Sequence, residues 1–207
     1  MVKNLIGIID YGMGNLRSVS KAFEALGGSV YVGSNPEKLS RSNKLVLPGV
    51  GAFGDAMSEL KKRKLILTIR NFINDGKPFF GICLGLQLLF EGSDENKGIP
   101  GLGIFKGTVK RFPKDQTNEL KIPHMGWNQV NIKMKSPILK KILKNSHFYF
   151  VHSYYGKPKR TEIIAGETDY GITFPAILSQ ANIFAAQFHP EKSQKMGLQI
   201  LKNFIEI

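Results

Sequence analysis

The chain has little cysteine, few acids relative to bases, and no long apolar run. Its 207 residues include one cysteine, Cys83. No disulfide can form within the chain, and a reducing compartment, the cytoplasm, is its simplest home. No stretch reaches the roughly 18 consecutive apolar residues of a membrane span, so no membrane association is expected. The opening Met1-Val2-Lys3-Asn4 leads into a short apolar run without the h-region of a signal peptide. No internal repeat, low-complexity tract or linker interrupts the pattern, so a single domain over 1–207 is expected. One cysteine and four dispersed histidines do not make a zinc spacing, so neither metal nor cofactor is expected.

Acidic residues number 16 against 29 lysines and arginines, giving a net charge of +13. Such a balance raises the question of nucleic acid. The lysines are scattered, however, and Lys61-Lys62-Arg63-Lys64 is the one tight basic run, on a helical stretch whose solvated face explains it. Lys140, Lys141 and Lys144 read the same way. No nucleic-acid partner is expected; the field suits a phosphorylated substrate or an acidic partner.

What is present is alternation. Leu5 to Ile9 reads as a buried strand. Leu16, Val19, Ser20, Phe23 and Leu26 recur at helical spacing, and Gly27-Gly28 stops that helix. Strands are expected at Val30–Val32, Leu45–Leu47 and Pro78–Ile82, with a helix through Leu65–Ile73 and another from Leu84 to Phe90. The second half is richer in strands: Gly103–Val109, Gln129–Ile132, Phe148–Val151, Ile163–Gly166, Ala176–Ser179 and Ile183–Gln187. Ser136-Pro137 should open a short helix through Leu143, and Ser193 should cap the last helix, with Leu198, Leu201 and Ile205 facing inward. The fold class is α/β: an open, mostly parallel sheet with helices on both faces and a strand-rich second half. Ligands gather at the carboxyl ends of such strands.

The segment Gly81-Ile82-Cys83-Leu84-Gly85-Leu86-Gln87 joins an apolar strand to an apolar helix. It has the form of a nucleophile elbow with cysteine in place of serine. Flanking glycines let the neighbouring backbone come close, and a helix N-terminus favours a thiolate. The Leu84 N–H would face a developing oxyanion. A thiol nucleophile needs a base and an orienting group. Among His124, His147, His152 and His189, only His189 stands before Pro190-Glu191. If that tripeptide is extended, His189 and Glu191 project to one side. His152 is a rival base; His124 and His147 are read as surface or structural positions. The loop Gly49-Val50-Gly51-Ala52-Phe53-Gly54 matches a dinucleotide fingerprint, with Asp75 near the distance of a ribose-binding acid. Asp75 precedes the next strand, though, Pro48 opens the loop, and this is not the first strand–helix unit. A backbone donor near Val50 is the better use of these glycines.

These motifs together resemble class I (triad) glutamine amidotransferases, whose flavodoxin-like sheet matches the pattern above. Asp10 to Asn15, Leu47 to Asp55, Ile122 to Asn128, Tyr149 to Tyr154 and Phe188 to Ser193 narrow the resemblance to glutaminase subunits of imidazole glycerol phosphate synthases. The resemblance implies that Cys83 attacks glutamine, His189 relays protons and Glu191 orients it. It implies oxyanion donors at Val50 and Leu84, and glutamine held by Gly51, Gln87 and Ser153. Asn15, Trp127, Tyr149 and Lys192 match positions at the synthase interface. The implied partner is a cyclase with a (β/α)8 barrel. It would form a heterodimer with this chain, receive ammonia through an internal channel, and make imidazole glycerol phosphate and an aminoimidazole carboxamide ribotide on the histidine pathway. Low activity without the liganded partner is expected. Alternatives are a paralogous glutaminase serving another synthase, such as one modifying a surface-polysaccharide sugar, a cysteine hydrolase of related architecture, and a non-catalytic binding protein that would leave Cys83, His189 and Glu191 without joint purpose.

Overall fold

The computed structural model describes residues 4–113 and 121–207; the opening Met1-Val2-Lys3 lies outside them. The first half alternates as its sequence predicts, with one short helix, Pro36–Ser40, that the pattern does not predict. Strand β1 (Leu5–Ile9) leads to α1 (Leu16–Ala25), β2 (Ser29–Gly33), α2 (Pro36–Ser40), β3 (Lys44–Gly49), α3 (Phe53–Lys62), α4 (Leu65–Asn74), β4 (Phe79–Cys83) and α5 (Leu84–Gln87). The second half carries β5 (Gly107–Arg111), β6 (His124–Gln129), β7 (Asn131–Ile132), β8 (His147–His152), β9 (Tyr154–Pro158), β10 (Ile164–Asp169), β11 (Thr173–Gln180), β12 (Ile183–Ala186) and finally α6 (Gln194–Glu206).

Eight strands form one sheet in the order β2-β1-β3-β4-β12-β11-β10-β7. Neighbours from β2 through β12 run parallel, and β11, β10 and β7 continue the sheet antiparallel. Two separate ribbons, β5–β9 and β6–β8, stand beside it. The inner parallel strands β1, β3, β4 and β12 are apolar on both faces because both faces are covered, while the edge strand β2 is only partly buried. In β3, Leu45 and Leu47 join a core with α2, α3, α4 and α5, while Val46 joins another with α1 and α6. Phe204 of α6 anchors the latter, with its ring 5.3 Å from Phe80 and 6.2 Å from Phe23. Each such fully buried side chain contributes roughly 1.5–3 kcal/mol of transfer free energy.

The sheet sets the geometry of one edge. Gly49 lies opposite Cys83 in the β3–β4 register, and Ile82 lies opposite Ala186 in β4–β12. The carboxyl ends of β3, β4 and β12 therefore sit side by side, and His189 follows the last of them.

Several elements differ from expectation. The helix after Cys83 ends at Gln87 rather than Phe90, and the strand expected from Gly103 starts at Gly107. One cause serves both: the carbonyls of Leu88, Leu89 and Phe90 accept from Leu102, Ile104, Phe105 and Gly103. Two apolar runs thus satisfy each other's backbone outside regular structure. The expected Gln129–Ile132 strand is split between β6 and β7, and the preceding His-Met-Gly-Trp-Asn motif is itself strand. Ser136 does not cap; its hydroxyl pairs with that of Ser179 at 2.9 Å, and the helix is a single 3-10 turn, Pro137–Leu139. Ser193 precedes α6 without capping it by a side-chain bond. On α6 it is Ile200, Leu201 and Phe204 that are fully buried, with Leu198 and Ile205 only partly so. The basic run is a solvated helix end, where Lys62 and Arg63 pair with Glu59 at 3.5 and 3.1 Å. No helix among the described residues is long and apolar enough to cross a membrane.

Candidate active site

Cys83 ends β4 with φ +54° and ψ −108°, a backbone region that L-residues avoid. Such a conformation costs roughly 1–3 kcal/mol and persists only where surroundings enforce it. The enforcing contacts are visible at the two glycines. A methyl group on Gly81 would stand 2.8 Å from the carbonyl oxygen of Gly85, and one on Gly85 would overlap that of Leu47. The turn is therefore closed too tightly for any side chain but hydrogen. The helix that follows has only four residues. Its dipole is short, so the thiolate support expected from a helix N-terminus must come largely from side chains.

His189 reaches the sulfur from the loop after β12. Its N–H donates to Tyr149 O at 2.9 Å, and its carbonyl accepts from Ser193 Oγ at 2.6 Å. Ser193 Oγ also accepts from Tyr149 N at 2.9 Å, so the hydroxyl expected to cap a helix instead pins the His189 loop to β8. His189 Nδ1 lies 2.9 Å from Glu191 Oε1, and the two side chains are 3% and 1% exposed. Their approach does not come from an extended tripeptide. His189 is extended, but Pro190–Lys192 is a 3-10 turn that folds Glu191 back under the ring. His189 Nε2 and Glu191 Oε2 are buried without a hydrogen-bond partner among the described residues. Burial alone would lower the imidazole pKa, but Cys83 and Glu191 outweigh it and hold it up at about 10. The sulfur and the carboxylate both favour the charged ring, which is stabilised as an imidazolium.

A cavity of about 270 Å³ opens over the sulfur, lined by Val50, Gly51, Cys83, Leu84, Gln87, Glu95, Val151, His152, Ser153 and Tyr154. It lies below the ~300–1,000 Å³ of drug-sized pockets and suits a ligand the size of one amino acid. The glycine loop holds no phosphate site: Phe53 N and Gly54 N, at the start of α3, donate to Glu95 Oε2 and Asn96 Oδ1, both at 2.8 Å. A carboxylate already occupies the place a phosphate would take.

The family model for class-I glutamine amidotransferases matches residues 7–207. The chain belongs to the class-I glutamine amidotransferase family. It is 51% identical over 203 residues to the "Imidazole glycerol phosphate synthase subunit HisH" of Methanocaldococcus jannaschii, covering 98% of this chain and 100% of that one. It is 50% identical to the protein of that name from Syntrophotalea carbinolica, over 97% and 98% of the two chains. The one from Bacillus subtilis is 46% identical over 98% and 96%. Among solved structures, PurLQS from Thermotoga maritima superposes with a TM-score of 0.78 at 18% identity over 99% of both chains, which is a likeness of fold.

On this amidotransferase, the residues predicted at the site, other than His189, Glu191 and Asn15, separate into two groups. Cys83, Leu84, Gln87, Val50, Gly51 and Ser153 share the cavity wall. Trp127, Tyr149 and Lys192 form a surface cluster: the Trp127 and Tyr149 rings are 6.2 Å apart, and Lys192 Nζ lies 5.9 Å over the Tyr149 ring. Trp127 is 47% exposed. Asn15 is engaged locally, where its Oδ1 caps α1 by accepting from Ser18 N at 3.3 Å. His152 lines the cavity but is not a free base. Its Nδ1 meets Tyr154 O at 2.8 Å, and its Nε2 meets His124 Nδ1 at 2.9 Å. Burial pushes its pKa down to about 3. His124, expected at the surface or in a structural position, is 2% exposed, and burial pushes its pKa down to about 4.

Sequence reasoning missed Glu95, Tyr154, Gln187 and the part played by Tyr11. Glu95 and Tyr154 carried no signal of their own. Gln187 did: it is a polar residue closing an apolar strand two places before His189. The Tyr11 hydroxyl is buried and unpartnered among the described residues, and stands where a side chain on Gly49 would collide with it. Burial, and then the charge of Cys83, push its pKa upward.

Proposed function

We propose that this chain is the glutaminase subunit of an imidazole glycerol phosphate synthase. One observation carries the reading: a strained cysteine elbow, a buried imidazole with a buried carboxylate behind it, and an amino-acid-sized cavity all meet at one sheet edge. Cys83, as thiolate, attacks the side-chain carbonyl carbon of glutamine. The N–H groups of Val50 and Leu84 hold the oxyanion. The His189 imidazolium gives its proton to the leaving nitrogen, and ammonia departs from a glutamyl thioester. The neutral ring then takes a proton from water, which attacks the thioester, and glutamate leaves as the thiolate returns. Glu191 holds Nδ1–H so that Nε2 faces the sulfur. Gly51, Gln87 and Ser153 hold the substrate, and the Glu95 carboxylate on the cavity wall suits its ammonium group.

Ammonia passes to a cyclase subunit with a (β/α)8 barrel, docked on the face with Asn15, Trp127, Tyr149 and Lys192 in a cytoplasmic heterodimer. Single-domain organisation over 1–207 fits the continuous sheet. The test is an assay of the assembled synthase with glutamine or with ammonium salt. Cys83→Ala abolishes synthesis from glutamine and leaves synthesis from ammonia. Loss of both in an intact complex would refute the assignment, as would equal glutaminase turnover with and without the cyclase for the coupling.

A further inference from the structure

The sulfur of Cys83 faces the His189 imidazolium and interacts with the Tyr11 hydroxyl, and it has besides two hydrogen-bonding neighbours that favour opposite protonation states. Val151 O, 3.9 Å away, can only accept, so it engages a thiol and repels a thiolate. Gln187 Nε2, 3.8 Å away, donates to the sulfur and favours a thiolate. Gln187 is 0% exposed. Its amide cannot turn over, and the reason is Gln87. Gln87 Nε2 donates at 2.9 Å to Tyr154 O, a carbonyl that only accepts. This fixes the orientation of Gln87, whose Nε2 also donates to Gln187 Oε1 at 3.3 Å. With its oxygen claimed by a donor, Gln187 must present its NH2 end to the sulfur. Its backbone N–H is tied to Ala176 O at 2.9 Å, which fixes the base of the side chain.

We propose that Gln187 is a positioning residue that holds the Cys83 sulfur as an anion, with Gln87 fixing the orientation of its amide. The proposal deepens the glutaminase reading and rests on Cys83 as the nucleophile. In this site the one-turn helix supplies little dipole, so a side-chain N–H takes the part that a longer helix would play. The hydrogen bond exists in full only while the sulfur is charged.

The single cysteine makes a direct test possible, because any alkylated cysteine that peptide mass spectrometry assigns to this chain is Cys83. The pH dependence of iodoacetamide labelling is measured in the assembled synthase for wild type, Gln187→Met and Gln187→Glu. Met keeps the volume and removes the donor; Glu keeps the shape and places an acceptor against the sulfur. The labelling midpoint moves up by about one pH unit in Gln187→Met, a tenfold loss of thiolate at fixed pH, and further in Gln187→Glu. Glutamine-dependent kcat falls with it while KM changes little, and ammonia-dependent synthesis is untouched. Gln87→Leu, read by labelling alone, frees the Gln187 amide to turn and shifts the midpoint the same way by less. Reduced kcat with an unmoved midpoint in both Gln187 variants would overturn the proposal and leave Gln187 a packing residue. If a Gln187 variant does not assemble, an unmoved midpoint in Gln87→Leu has the same force. Failure of the underlying reading looks different: fully alkylated wild type would then keep its glutamine-dependent activity.

Discussion

Two buried histidine clusters lie in this molecule, and their surroundings drive them in opposite directions. Burial pulls at both. At His189 it is overcome by Cys83 and Glu191, and the pKa rises to about 10. At His124 and His152 it is unopposed by any carboxylate, and the pKa values fall to about 4 and about 3. In the second cluster the hydrogen bonds suit neutral rings only. Nδ1–H of His152 donates to Tyr154 O, and its Nε2 accepts from Nδ1–H of His124, whose Nε2 lies 3.2 Å from the Asn128 amide. A proton added to either ring would set donor against donor. The burial of a histidine thus does not decide its charge; the group facing it does.

The largest effect expected from breaking this contrast is at the charged cluster. His189→Asn removes the proton relay and lowers glutamine-dependent turnover by about 10²–10⁴-fold, with ammonia-dependent synthesis retained. His147→Asn, on the exposed start of β8, leaves both rates within twofold, roughly, which a parallel assay checks. Glu191→Gln keeps the shape and removes the charge that raises the imidazole pKa. Turnover falls by on the order of 10²-fold, and the alkaline limb of the pH–rate profile moves to lower pH.

The stability effects are smaller and run in opposite pH windows. The lowered pKa values of His124 and His152 mean that the unfolded chain binds more protons than the folded one below about 6.5. Their neutral network stabilises fully above that pH, and the contribution is lost as pH falls toward 4, by roughly 1 kcal/mol per pH unit per ring. His189 has the reverse sign. Its raised pKa stabilises fully below about 6.5 and is lost as pH rises through about 10. Urea unfolding between pH 4.5 and 10 should therefore show both flanks; His124→Leu makes the acid flank shallower, and Glu191→Gln the alkaline one. The smallest effect belongs to Tyr11. Its hydroxyl has no partner among the described residues, so Tyr11→Phe leaves stability unchanged or raises it by up to about 1 kcal/mol in the same unfolding measurement.

Only one of the two clusters was legible in the sequence. Glycines on both sides of Cys83 and a His-Pro-Glu triplet are local patterns with a physical reason to be there, and the structure brings them together. β1 was readable to its ends because a short apolar run met a turn signal. The other cluster depends on contacts no local pattern encodes. His124 and His152 pair across β6 and β8, and β6 was hidden in a segment broken by Pro123 and Gly126. β9 carries Gly156 and Pro158 and does not look like a strand, and α2 is too short for a period to show. Gln187 meets Cys83 across 104 residues of chain. The elbow helix was overestimated because Leu88, Leu89 and Phe90 continue its apolar character while their carbonyls are taken by another loop.

The central claim is that Cys83, activated beside His189, cleaves glutamine for a partner. It is tested most directly with a glutamine analogue bearing an electrophilic diazoketone side chain, applied to the assembled synthase and followed by peptide mass spectrometry and both synthesis assays. The account predicts one adduct per chain, on Cys83, with glutamine-dependent synthesis lost and ammonia-dependent synthesis intact. Labelling of Cys83 to completion with glutamine-dependent synthesis unimpaired would contradict it.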